Sequence, residues 1–203
     1  MIKKWFAIIS NHKISLRDRM FRIATSICMI ALLLIMPMGR NLGNILLMIL
    51  SLLAMGIIVE VSIKKSRIQT GATAISVLLL LLFPISYFTA GGFYSGVPEW
   101  FIFCYVYVCI TLRGRRLWVF LLLCMAETLL CYGISFYFPE LVAKSSMQSS
   151  FFDSAFSVIM VGLLTSVLLM FLNRMYEEEN ILSQQQKKEI EELNRAENHF
   201  SLV

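Results

Sequence analysis

Histidine is nearly missing from this sequence: there are two in 203 residues, His12 and His199, and both stand in hydrophilic segments. An enzyme working inside a bilayer needs a base beside its nucleophile, or ligands for a metal, and these apolar runs offer no imidazole for either task. Cysteine is sparse as well. Cys28, Cys104, Cys109, Cys124 and Cys131 all lie in apolar runs, and none has a C-x-x-C or Cys/His spacing. They read as small apolar packing residues, not as a disulfide framework or a zinc site. No N-x-S/T acceptor and no phosphate-cradling glycine loop is present. No catalytic residue, cofactor, metal or nucleic-acid partner is expected of these residues.

Charge is the other scarcity. Only 15% of the residues are charged and 58% are hydrophobic, with a mean hydropathy of +0.75. A soluble domain cannot hide that much apolar surface in one core, so the bilayer is the expected solvent. Crossing it takes roughly 20 apolar residues in a helix. Six runs come near that length: 23–38, 42–63, 72–90, 97–112, 117–138 and 154–172. The first and fourth are short, and each is expected to gain length at the interface, through a snorkelling Arg22 and through Trp100 at headgroup depth. No small-residue cleavage site follows the first run, which is expected to stay as an anchor.

Lysine and arginine set the expected orientation, because basic loops are retained on the cytoplasmic side. Lys3, Lys4, Lys13, Arg17, Arg19 and Arg22 precede the first run, and Lys64, Lys65 and Arg67 follow the second. Arg113, Arg115 and Arg116 follow the fourth, and Arg174, Lys187, Lys188 and Arg195 follow the sixth. Only Arg40 and Lys144 fall on the other side. This predicts an all-α, multi-pass protein of the bacterial cytoplasmic membrane, with six transmembrane helices over 23–172 and both termini in the cytoplasm. Residues 1–22 place Ile2, Trp5, Phe6, Ile9, Leu16 and Met20 near one helical face. An amphipathic helix on the anionic leaflet and a plain cytoplasmic leader both fit.

Beyond Leu172 the composition changes abruptly. Residues 173–203 contain no glycine or proline and carry four basic against seven acidic side chains. A cytoplasmic helix leaving the membrane is expected. Met175, Leu182, Leu193, Ala196 and Phe200 fall near a heptad seam, which Glu179, Gln186 and Glu189 interrupt. A weak parallel coiled coil joining two copies is one reading, and a solvated helix held by i,i+4 ion pairs is the other.

Two carboxylates lie in or near the apolar runs. Glu127 falls near the middle of the fifth, as a protonated carboxyl bonded to a neighbouring helix or as a polar contact in a ligand or proton pocket. Glu60, one turn before Lys64, is expected to form an interfacial ion pair. The stretch Thr89 to Trp100, TAGGFYSGVPEW, is the most unusual local sequence. Gly91, Gly92 and Gly96 permit backbone angles closed to other residues, and Pro98 suits a first helical turn. Phe88, Phe93, Tyr94 and Trp100 are candidates to line an apolar recess for a small molecule, with Ser95 and Glu99 as polar contacts. A tight interfacial turn with an aromatic belt fits the same residues. The later connection FPELVAKSSMQSSFFD either caps such a recess or is simply a loop.

The run FPISYFTAGGFYSGVPEW, then FIFCYVYVCITLRGR, CYGISFYFPELV and a last span ending FLNRMYEEEN resembles the membrane-embedded amino-terminal region of bacterial hybrid sensor histidine kinases. The likeness covers roughly residues 82–200. In that family the exit helix leads into S-H-E-x-x-x-P, whose histidine accepts phosphate. Here NRAENHFSLV is similar to the approach to that box, with Phe200 at its phenylalanine, and the sequence ends before it. His199 lacks the acidic residue that follows the phosphoacceptor, so that role is not carried onto it. The resemblance implies a sensor input region: a stimulus at the outer face shifts the helix bundle, and the sixth span passes the shift to the tail. Alternatives are the substrate-binding membrane subunit of a vitamin-type transporter and a structural assembly factor.

Overall fold

The computed structural model describes residues 16–36, 42–144 and 146–200, the side chains of 17, 189 and 193–200 excepted. The regular elements among them are all helical. They are α1 (Leu16–Ile35), α2 (Leu42–Lys64), α3 (Ile68–Ala90), α4 (Val97–Thr111), α5 (Arg115–Tyr137) and α6 (Met147–Phe200), with 3₁₀ turns at Gly92–Tyr94 and Pro139–Leu141. The chain divides into two compact units, Met1–Ser166 and Val167–Val203.

Four helices, α2, α3, α5 and α6, are long and apolar enough to cross a membrane. α4 is apolar but has 15 residues. α1 has 20 residues, and Asp18, Arg19 and Arg22 fall in its first two turns. The two short runs of the sequence are therefore the two helices outside the set of four. Boundaries moved toward the N-terminus at four places. α1 begins at 16, α3 at 68, α5 at 115 and α6 at 147, because polar residues such as Gln69 and Ser149 propagate a helix once a cap and a neighbouring turn have paid for its nucleus.

In the first unit each helix packs on its sequence neighbour from α2 to α5, α5 also lies on α3, and α1 lies on α4 and α2. Phe21, Ala24, Cys28 and Ala31 form the inward stripe of α1, spaced three, four and three residues apart as one helical face requires. The Tyr107 and Thr25 hydroxyls, both fully buried, hydrogen-bond at 3.1 Å and tie α4 to α1. Between α2 and α3 the turn is tight. The Arg67 N–H donates to the Ser62 carbonyl at 3.0 Å, and a β-carbon on Gly71 would overlap Ser62.

The two short turns, α2–α3 and α4–α5, lie at one end of this up-and-down arrangement, and they carry Lys64, Lys65, Arg67, Arg113, Arg115 and Arg116. The opposite end carries the α3–α4 and α5–α6 connections, with Lys144 as its basic residue among the described ones. Glu60 and Lys64 form the expected ion pair, Oε1 to Nζ 2.7 Å, on an exposed face.

Two interfacial anchors expected from the sequence are corrected. Arg22 does not snorkel: α1 starts seven residues earlier than its apolar run, so Arg22 sits nearly two turns inside the helix on the packed face, only 9% exposed. Trp100 is 6% exposed and packs against protein, so its indole is not free to anchor in lipid headgroups.

The described part of the second unit is one stretch of helix, apolar from Val167 to Leu172 and hydrophilic beyond it. Arg174 Nε and Glu178 Oε1 lie 3.5 Å apart in an i,i+4 pair, and residues 181–188 are exposed. The heptad residues Leu193, Ala196 and Phe200, and His199, have side chains outside the described set. Residues 1–15, which hold most of the amphipathic leader, and Arg40 also lie outside the described residues.

Candidate functional site

The α3–α4 connection is built on glycine. Gly91 ends α3 at φ 122° with its N–H on the Tyr87 carbonyl, and Gly92 follows at φ 58°; both angles are disfavoured for residues with a β-carbon. Ser95 then closes the 3₁₀ turn. Its hydroxyl donates to the Gly92 carbonyl at 2.7 Å and accepts the Val97 N–H at 3.3 Å. Pro98 occupies the first turn of α4, as expected. Ser95 is 1% exposed, so it holds the backbone and does not face a ligand.

Gly96 serves a purpose different from the expected one. Its φ is −80°, open to any residue, but a β-carbon there would lie 2.6 Å from the Asp153 carbonyl oxygen. What it permits is close approach to α6. Across that contact the Gly96 N–H donates to Asp153 Oδ2 at 3.0 Å, Trp100 Nε1–H donates to Ser157 Oγ at 3.2 Å, and the Ser154 hydroxyl donates to Glu99 Oε1 at 2.8 Å. Asp153, Ser154 and Ser157 lie within little more than one turn of α6, so a single helical face supplies all three bonds. Glu99 and Trp100 therefore belong to an interhelical clasp.

The second connection folds over the first. The Ala143 N–H donates to the Phe88 carbonyl at 2.9 Å, and Val142 sits where a β-carbon on Gly92 would go, at 2.8 Å. Between the two connections lies a recess of about 330 Å³, walled by Gly91, Phe93, Tyr94, Pro139, Val142 and Ala143, with Ser135 and Lys144 as its polar side chains. On the far side of Phe93 and Tyr94 is a more open hollow of about 520 Å³ that reaches Met147, Phe151 and Ser154 of α6.

Beneath the recess an aromatic cluster centres on Tyr87, whose ring contacts those of Phe88, Phe93, Phe101 and Tyr132 at centroid distances of 5.4, 6.2, 6.1 and 5.8 Å. Tyr87 is fully buried and Ser135 is 6% exposed, and their hydroxyls face each other without either making a hydrogen bond of regular geometry. Two hydroxyls can make at most one hydrogen bond between them, so the pair keeps hydrogen-bonding capacity to spare, and Ser135 is the member that lines the recess.

Of the residues singled out in the sequence, Gly91, Phe93 and Tyr94 line this recess, while the Phe88 carbonyl accepts the Ala143 N–H and Gly92 packs against Val142 beside it. Ser95 lies under the turn, and Glu99 and Trp100 lie at the clasp. Glu127 is elsewhere. It is eight residues before Ser135 on α5, about 12 Å along the axis, and its Oε1 is buried without a partner. Tyr87, Tyr132, Ser135, Asp153 and Ser157 were not singled out. Their signal in the sequence is faint: polar atoms at isolated positions of apolar helices, one per turn or fewer. Among the described residues no three His, Cys, Asp or Glu side chains converge as a metal requires. The Cys104 and Cys124 sulfurs face each other at 3.8 Å as free thiols. The groups around the recess are rings, hydroxyls and one ammonium, a set suited to holding a molecule by shape and hydrogen bonds. Compared with family models, with curated proteins and with solved structures, the chain matches none.

Proposed function

We propose that the chain is the membrane input region of a signalling protein of the sensor histidine kinase kind, taking a stimulus at the recess and handing it to the hydrophilic helix. One observation carries this reading. The clasp residues Asp153, Ser154 and Ser157 and the charged segment after Asn173 belong to one helical element, Met147–Phe200. A ligand that alters the recess bears on Phe93 and Tyr94, two residues before the clasp begins, and a helix carries displacement along its axis without chemistry.

In this reading all six helices cross the bilayer. α4 spans only about 22 Å at 1.5 Å per residue, short of a hydrocarbon core of roughly 30 Å. Its neighbours shield it: Trp100, Phe101, Phe103, Cys104, Tyr107, Val108 and Thr111 are buried, so little of its ends meets lipid. The six basic residues at the two tight turns support a cytoplasmic location for that end and an outer location for the recess. The weak coiled coil of 173–203 and its dimer complete the proposal.

The experiment is a chimera in which this chain replaces the membrane region of a histidine kinase with a transcriptional reporter. Tyr176→Pro breaks the helix past the last apolar span and is expected to abolish the response while insertion stays intact. An unchanged response removes the proposal. The recess also suits a transporter subunit. Retention of a vitamin on purification, with an indifferent chimera, favours that second reading.

A further inference from the structure

We propose that the recess between the Gly92–Tyr94 turn and the α5–α6 connection is a binding site for a small anionic amphiphile, a carboxylate on an aromatic or short aliphatic body. The inference deepens the sensor reading by naming the class of stimulus, and it rests on that reading only for its consequence.

Three features of the recess fix the chemistry. Its walls are apolar and partly aromatic, from Phe93, Tyr94, Pro139, Val142 and Ala143, and flat or short hydrocarbon bodies pack well on such surfaces. Its volume of about 330 Å³ is at the low end of the range that holds small ligands, which excludes a whole lipid. Its polar groups are all able to donate. Ser135 lines the recess, is 6% exposed and, with only the Tyr87 hydroxyl facing it, makes no hydrogen bond of regular geometry; Lys144 stands at the rim and is exposed; Tyr94 adds an exposed hydroxyl.

A carboxylate matches that set. One oxygen accepts a hydrogen bond from the Ser135 hydroxyl, while the other meets the Lys144 ammonium at the mouth, where charge-assisted bonds are the strong ones. Glu140, the acidic residue closest in sequence, is not among the lining side chains. A cation has no counter-charge on these walls. A neutral alcohol satisfies Ser135 and leaves Lys144 unused. Gly92 keeps the floor open: Val142 already packs at 2.8 Å from the place of its missing β-carbon, so any side chain there would push the wall inward.

Equilibrium dialysis of the full chain in phosphatidylcholine nanodiscs tests this with three isosteric probes, phenylacetate, phenethyl alcohol and phenethylammonium. Saturable binding is expected for phenylacetate, with the other two weaker by about tenfold or more. Ser135→Ala and Lys144→Gln are each expected to weaken phenylacetate by about ten- to a hundredfold, and Lys144→Glu to abolish it. Lys144 is exposed, so its variants do not threaten folding. Equal binding of the three probes, binding unchanged in both Ser135→Ala and Lys144→Gln, or no saturable binding of phenylacetate overturns the assignment. The chimera reads the sensor proposal separately. Selective binding with a chimera that gives no response, or whose response Tyr176→Pro leaves unchanged, keeps the ligand class and removes the sensor, while a proline-sensitive chimera whose membrane region binds no carboxylate does the reverse.

Discussion

Gly92 is the single position where the outcome of a substitution is most fully determined. Its φ of 58° is costly for any residue with a β-carbon, about 1–2 kcal/mol, and the added carbon would also meet Val142 Cγ1 at 2.8 Å. Gly92→Ala is therefore expected to destabilise the protein by about 2 kcal/mol in reversible unfolding from mixed micelles. Val142→Ala in the same chain removes the overlap and should return part of that loss, never all, because the backbone angle remains. Full recovery would mean that the turn relaxes and that φ carries no cost. The need for glycine at 91 and 92 was legible from TAGGFYSG alone. The need at Gly96 was legible only as glycine, not as close approach, because the partner that requires it, Asp153, is 57 residues away in sequence. Ser135 and Tyr87 were not legible at all. A lone hydroxyl on an apolar helix says nothing about whether its proton has a partner.

Between elements the decisive joint is α4 against α6. Its existence was hidden by a boundary error: the run of strong apolar residues starts at Ser154, so Asp153 reads as loop. The helix in fact starts at Met147 behind a Ser146 cap, whose hydroxyl accepts the Ser149 N–H at 3.3 Å, as Ser-initiated helices do. Ser157 then reaches Trp100 Nε1. Ser157→Ala leaves a buried indole N–H unpaired and is expected to cost about 1–3 kcal/mol. In a Trp100→Phe background, which has no N–H to strand, the same change should cost well under half as much; equal costs in the two backgrounds would show that the bond contributes nothing. The all-helical character and the order of the apolar helices among the described residues, by contrast, were readable from hydropathy, because apolar run length and the interrupting basic turns at 64–67 and 113–116 are local properties of the chain.

For the whole molecule, the proposed six crossings make a parity claim that a pair of sites can test. The α2–α3 turn and the α5–α6 connection are separated by α3, α4 and α5. If all three cross, Ser66 and Lys144 lie on opposite faces of the membrane; if the 15-residue α4 fails to cross, they lie on the same face. Single cysteines at these positions, in a chain whose five native cysteines are replaced by alanine, read the difference with a membrane-impermeant maleimide. Lys144→Cys is expected to react in intact cells and Ser66→Cys only after permeabilisation. Neutralising Lys64, Lys65, Arg67, Arg113, Arg115 and Arg116 together should then make Ser66→Cys partly reactive from outside, since those side chains hold the two turns in the cytoplasm. Reaction of both cysteines from the same side would reduce the crossings from α1 to α6 to an odd count, and would put the α3–α4 turn and the α5–α6 connection, which together wall the recess, on opposite faces. In that case no single stimulus could meet both connections, and the recess on which the sensor reading depends would not exist in the membrane.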